Sequence, residues 1–176
     1  MMPDVEHEHG PEPGVDPLQG LDASVRAVGA SGFLHHVELW VPDLARAERS
    51  WGWLLTRLGA EPFQAWEHGR SWRSGDVYIV LEQSPALTGD RHDRRSPGLN
   101  HLAFWVSEGP RPEEDGVLPL DELVAEAPAH GWTLLFSDRH PHAGGPDHRA
   151  AYLEDGDGYE VELVSSGGTR KPPHPS

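Results

Sequence analysis

The sequence predicts an α+β fold made of two βαβββ modules. Three observations carry this: an internal repeat, a period-two alternation opening each copy, and an amphipathic helix after each opening strand. Gly32-Phe33-Leu34-His35-His36-Val37-Glu38-Leu39-Trp40-Val41 lines up with Pro97-Gly98-Leu99-Asn100-His101-Leu102-Ala103-Phe104-Trp105-Val106. Setting His36 on His101, an offset of 101 − 36 = 65 residues, also gives Leu34, Trp40 and Val41 identical partners. A single offset of this size points to duplication of a supersecondary unit rather than to a long solenoid.

Each copy opens with a strand. Alternation sends Val37, Leu39 and Val41 to one face and His36, Glu38 and Trp40 to the other. In the second copy Leu102, Phe104 and Val106 oppose His101, Ala103 and Trp105. The aliphatic face suits packing beneath a helix, and the opposite face carries the histidines. The first helix is expected from Leu44 to Leu58, capped by Asp43, with Leu44, Ala47, Trp51, Leu54 and Leu58 on one stripe and Gly59 as its stop. The second is shorter, Leu120 to Ala127, after an acidic surface insertion at Glu108–Leu118. Three short strands complete each copy: Glu61–Trp66, Ser71–Arg73 and Val77–Glu82, then Thr133–Ser137, Arg149–Leu153 and Glu160–Val164.

Composition narrows the partners. Residues 1–30 are rich in Pro, Gly and acidic side chains, and such a segment cannot offset its ordering entropy by burial. It is expected to be a disordered acidic tail, with 165–176 a flexible one. The folded part is 31–164, in modules of about 31–84 and 97–164. The net charge of −15 argues against nucleic acid and anionic membranes, which need concentrated basic surface. No apolar run is long enough to span a bilayer and no secretory signal is recognisable, so a cytoplasmic location is expected. The absence of cysteine excludes disulfides and thiolate ligands, while 12 histidines leave imidazole as the natural metal ligand.

Three stretches together resemble the vicinal oxygen chelate superfamily, which includes glyoxalase I, fosfomycin-resistance transferases, methylmalonyl-CoA epimerase, extradiol dioxygenases and bleomycin-resistance proteins. They are Leu34 through Leu44, Leu99 through Phe104, and Asp155-Gly156-Asp157-Gly158-Tyr159-Glu160-Val161-Glu162-Leu163, similar to a closing turn and strand of the form D-P-D-G-x-x-x-E-L. The resemblance implies that the modules form a curved, partly open mixed β-barrel around one divalent metal (Fe, Mn, Zn, Ni or Co). Its ligands would be His36, His101 and Glu162. It also implies a homodimer, in which His36 and the His101/Glu162 pair either share a chain or come from different subunits.

Two imidazoles and one carboxylate suit several divalent metals and leave positions open for a small-molecule substrate. The parity of the strands agrees: His36 and His101 are repeat-related, and Glu162 alternates with apolar Val161 and Leu163. The plainer alternative is hydrogen-bonded core histidines with Glu162 paired to an arginine. Glu38 shares the face of His36 and is a candidate base or a salt-bridge partner. Glu82 closes the first module, near the place where some members of the resembled family carry a fourth ligand. Trp40 and Trp105 either line a cavity or pack in the core. His35 is expected on the face opposite His36, in a structural role. The loop Asp138–His148 is expected to be a solvated turn, the alternative being a loop that covers the site and offers one of its histidines as a base. Tyr152, ten residues before Glu162, partly resembles the extradiol dioxygenase signature, although Gly156 stands where that signature has proline. The resemblance thus implies a metal-dependent lyase or isomerase first. A dioxygenase comes second, and a drug-binding protein of the bleomycin-resistance type third.

Overall fold

The computed structural model describes residues 33–106 and 119–165. The tails assigned to 1–30 and 165–176 (Ser165 excepted) and the insertion Glu108–Leu118 lie outside the described residues. Contacts divide the chain into Met1–Phe33 and Leu34–Ser176, and both modules belong to the second unit.

The element order is β1 (His36–Trp40), α1 (Leu44–Arg57), β2 (Glu61–Trp66), β3 (Gly69–Ser74), β4 (Val77–Glu82), β5 (His101–Val106), α2 (Leu120–Glu126), a 3-10 turn (Ala127–His130), β6 (Thr133–Leu135), β7 (Ala150–Glu154) and β8 (Glu160–Ser165). The expected βαβββ order therefore occurs twice. Each module forms one four-stranded sheet, β1-β4-β3-β2 and β5-β8-β7-β6. In both, the opening strand runs parallel to the last and the other pairs are antiparallel. No strand of one sheet pairs with a strand of the other among the described residues, so the sheets do not close into a barrel.

Asp43 caps α1 as expected, its carboxylate accepting from the Arg46 N–H at 2.9 Å. The helix ends at Gly59, whose φ of +86° is a backbone shape that a side chain disfavours. Leu44, Ala47, Trp51 and Leu54 are buried along its inner stripe. This stripe meets the aliphatic strand faces of both modules in one core, with Leu39, Val41, Leu81, Leu120, Leu123, Trp132, Leu153, Val161 and Leu163. Trp51 meets Trp132 edge-on at 5.3 Å between ring centroids. The Trp132 indole N–H donates to the Ser50 carbonyl at 3.1 Å and that of Trp51 to Asp155, so both members of this pair have their polar atom satisfied.

The turn after β7 locks the modules together. One Asp155 oxygen accepts the N–H groups of Asp157 and Tyr159, both at 2.9 Å, and the other accepts the Trp51 indole N–H at 2.8 Å. Arg46 of α1 pairs with buried Asp157. Burial raises the Asp155 pKa, opposed by these three donors. The strand carrying Glu162 thus starts three residues after Asp157, at a junction held by the first module's helix.

Candidate metal centre

The two opening strands alternate as their sequences predict. On β1, Leu39 is buried while His36, Glu38 and Trp40 are exposed; on β5, Val106 is buried while Ala103 and Trp105 are exposed. His101 lies on the open face with them. Its strand is paired so that Ala103 faces Glu162 across the parallel ladder, and Glu162 in turn faces Tyr152 on β7. Cross-strand partners share a face, so His101, Glu162 and Tyr152 project together.

Three carboxylates crowd this face, and they have different partners. Glu160 pairs with Arg94, and Glu154 with Arg91 and Arg94. Glu162 has no arginine partner among the described residues. Its Oε1 accepts from the Tyr152 hydroxyl at 2.6 Å and from His148 Nε2 at 2.6 Å, and its Oε2 lies 3.2 Å from His101 Nε2. The plain alternative of an arginine-paired glutamate is therefore not what the fold builds. Burial works against ionisation of Glu162, but the bonds from Tyr152 and His148 and the positive potential of His148 and His101 win and hold its pKa below the ordinary carboxylate value. Tyr152 is pushed well above the ordinary phenol value by burial and by its bond to Glu162.

His101 and Glu162 supply two donors of the kind that a divalent ion takes. Asn100 Oδ1 can only accept, so at 2.8 Å it fixes the His101 proton on Nδ1. Nε2 then faces a carboxylate oxygen, a contact satisfied either by a second proton on Nε2 or by a cation between the two groups. Two donors each about 2.1 Å from one ion and at right angles stand about 3 Å apart, close to the 3.2 Å seen here.

His36 is not part of that cluster. Among the described residues, no three His, Cys, Asp or Glu side chains converge as a metal-holding group. His36 stacks flat on Tyr78, at 4.9 Å and 7°, and its Nδ1 lies 2.9 Å from His35 Nδ1. His35 was expected on the opposite face, yet it touches both His36 and Tyr78. The strand begins at His36, so alternation does not govern the residue before it.

The registers also place the other acidic candidates. His36 + 2 is Glu38, which faces Val80, whereas His101 + 2 is Ala103, which faces Glu162. Val80 is thus the first module's counterpart of Glu162. Glu82 faces Trp40, the counterpart of Val164 opposite Trp105. Glu38 is exposed and accepts the Trp40 indole N–H at 2.7 Å. Trp40 and Trp105 are 41% and 60% exposed, so neither is core packing.

His148 is a residue that the sequence offers only as one of several loop histidines, without singling it out. It ends the loop expected to be solvated, and the only local signal was the histidine density of that loop.

Comparison with known proteins completes the picture. A model of the Glyoxalase/Bleomycin resistance protein/Dioxygenase superfamily matches residues 35–152, two thirds of the chain. The chain belongs to that superfamily. The match includes His36 and His101 and ends before the strand of Glu162. The chain is similar to the uncharacterized protein YqjT of Bacillus subtilis, at 40% identity over 134 residues, covering 75% of this chain and 98% of YqjT. A crystal structure of a candidate glyoxalase from Bacillus halodurans is 38% identical with a TM-score of 0.66, covering 76% of this chain and 96% of that one. A glyoxalase/bleomycin resistance protein from Albidiferax ferrireducens T118 is 25% identical with a TM-score of 0.56, covering 76% and 97%. The α+β architecture of paired four-stranded mixed sheets is the fold of this superfamily.

Proposed function

We propose that this superfamily member is a metal-dependent enzyme of the lyase or isomerase type. Its divalent ion would be held by His36 of one copy and by His101 and Glu162 of a second. The observation that carries this reading is the Glu162 carboxylate, left without an arginine and drawn toward the Nε2 of His101. Support for a shared centre comes from the open faces. Every residue of β2 is exposed, and Phe63, Trp66, Trp40 and Trp105 present large apolar surface. A homodimer that covers those faces would bring His36 opposite the pair it does not meet within its own chain.

A divalent ion with three protein donors keeps open positions and polarises two neighbouring oxygens of a bound small molecule. The chain's own groups divide the remaining work. Tyr152 keeps its proton on the phenol oxygen and orients Glu162. His148 holds Nε2 against the same carboxylate oxygen, within reach of a substrate seated there. Glu38 and then Glu82 are the candidate bases, as carboxylates on the face or strand that carries the first half-site. The exposed indoles wall the cavity against water.

A complementation experiment tests the shared centre. His36→Ala and Glu162→Ala each abolish stoichiometric metal uptake alone. Mixing and re-equilibrating the two restores one centre in every mixed dimer, giving about a quarter of the wild-type metal content. Uptake that stays at zero after proven subunit exchange refutes the shared centre. A second reading, an extradiol-type dioxygenase, is favoured by the Tyr152 hydroxyl on Glu162. Oxygen consumption with Fe(II) and catechols would establish it, whereas a lyase or isomerase consumes none.

A further inference from the structure

Each candidate ligand histidine stands at the inner end of a chain of rings that terminates in a guanidinium. In the first module Arg73 lies over Phe63 at 4.6 Å, Phe63 meets Tyr78 at 5.5 Å, and Tyr78 stacks on His36 at 4.9 Å. In the second, Arg139 lies over Phe136 at 4.9 Å, Phe136 meets Tyr152 edge-on at 5.6 Å, and Tyr152 meets His101 at 6.2 Å. The order Arg–Phe–Tyr–His is the same in both.

Duplication alone does not account for this. Tyr78 belongs to the last strand of its module and Tyr152 to the third; Arg73 lies on a strand and Arg139 in the loop after β6. The two chains therefore reach one arrangement from non-equivalent positions.

The charge balance is also unusual. Of the ten described arginines, seven form ion pairs: Arg46, Arg57, Arg70, Arg91, Arg94, Arg95 and Arg149. The three that do not are Arg49, Arg73 and Arg139; the latter two lie over phenylalanine, whereas Arg94, 6.0 Å from the Phe136 ring, is already held by Glu154 and Glu160. Stacking holds a guanidinium face-on to the ring and leaves its N–H edge for a planar oxyanion. A chain of net charge −15 repels anions overall, so an anionic ligand needs local cations that are not already neutralised.

We propose that the site takes an oxyanion-bearing small molecule whose carboxylate, phosphonate or phosphate is held by Arg73 and Arg139, with its uncharged part lying along the ring walls toward the imidazoles. The proposal deepens the reading above and rests on its placement of the two faces around one cavity. The guanidiniums themselves act without metal.

The test uses the full-length protein stripped of metal, so that no anion can bind through an ion. Benzoate, phenylphosphonate and neutral benzamide are titrated while the Tyr and Trp ring signals are followed by NMR. At least one anion is expected to bind about 10-fold tighter than benzamide, which is the scale of a charge-assisted hydrogen bond at a partly exposed site. Preference between benzoate and phenylphosphonate identifies which oxyanion the fork fits. Arg73→Gln and Arg139→Gln should each erase most of that advantage, while Arg95→Gln, already paired with Asp93, should leave it intact. Equal affinity for benzamide and both anions overturns the proposal. So does unchanged anion binding in either Arg73→Gln or Arg139→Gln. Metal uptake by the unsubstituted protein is measured separately, so the anion result and the metal reading can each fail without the other.

Discussion

The two modules share an ancestor's plan and differ in what they have kept on the open face. The second has a carboxylate, Glu162, held by a hydroxyl, an imidazole loop and the repeat histidine. The first has Val80 at the matching register position, buried, and a histidine stacked on a tyrosine. A duplicated scaffold therefore does not give a duplicated site. Parallel pairing of first and last strands fixes where ligands can stand, and the residue chosen at one position makes a half-site donor-rich or donor-poor.

The sharpest way to break this comparison is to substitute the matching positions. Glu162→Ala should lower metal affinity more than about 100-fold, beyond the range for groups that merely orient a ligand. Val80→Ala should leave it within about threefold of wild type despite a loss of packing. Metal titration with equilibrium dialysis reads both, and similar losses in the two variants would erase the asymmetry.

Next in size is the junction between modules. Asp155→Asn turns an acceptor of the Trp51 N–H into a competing donor, and should cost about 1–3 kcal/mol in urea unfolding. A loss within error would mean that the turn is not what ties the modules together.

The two tyrosines provide a third contrast. Tyr152→Phe removes a hydrogen bond to the candidate ligand and should weaken metal binding about 10-fold. Tyr78→Phe keeps the ring that His36 stacks on, and should change it about twofold or less. The smallest effect is on pH dependence. Glu162 has its pKa lowered on folding, so its contribution to stability is present above the ordinary carboxylate value. That contribution is lost as pH falls through the lowered folded value. Metal-free Glu162→Gln should accordingly show a flatter stability profile than wild type across that acidic window, measured by denaturant unfolding.

Much of the fold was legible in the sequence because alternation and the helical stripe are local patterns. The helix from Leu44 ends within a residue of its expected stop, and β2, β4 and β8 begin at the residues expected. Part of the His101–Glu162 cluster was legible for the same reason, since the repeat marked His101 and parity marked Glu162, while His36, marked by the same repeat, lies apart from them. What sequence could not supply was register across strands. It could not say that Val80 rather than Glu82 answers to Glu162, nor that Tyr78 lies beneath His36. His148 was hidden differently: a loop has no periodicity, so nothing local reveals which of its histidines folds back onto a strand.

The clamp at Asp155 and Asp157 has a consequence for how this molecule can be divided. Cut between the modules, the second half would lose both the indole N–H and the guanidinium that the first half lends it. Two acidic side chains would then face each other at the mouth of the strand that bears Glu162, with only backbone amides to oppose their repulsion. The halves are therefore not exchangeable cassettes, and the donor-rich one inherits its rigidity from its donor-poor sibling.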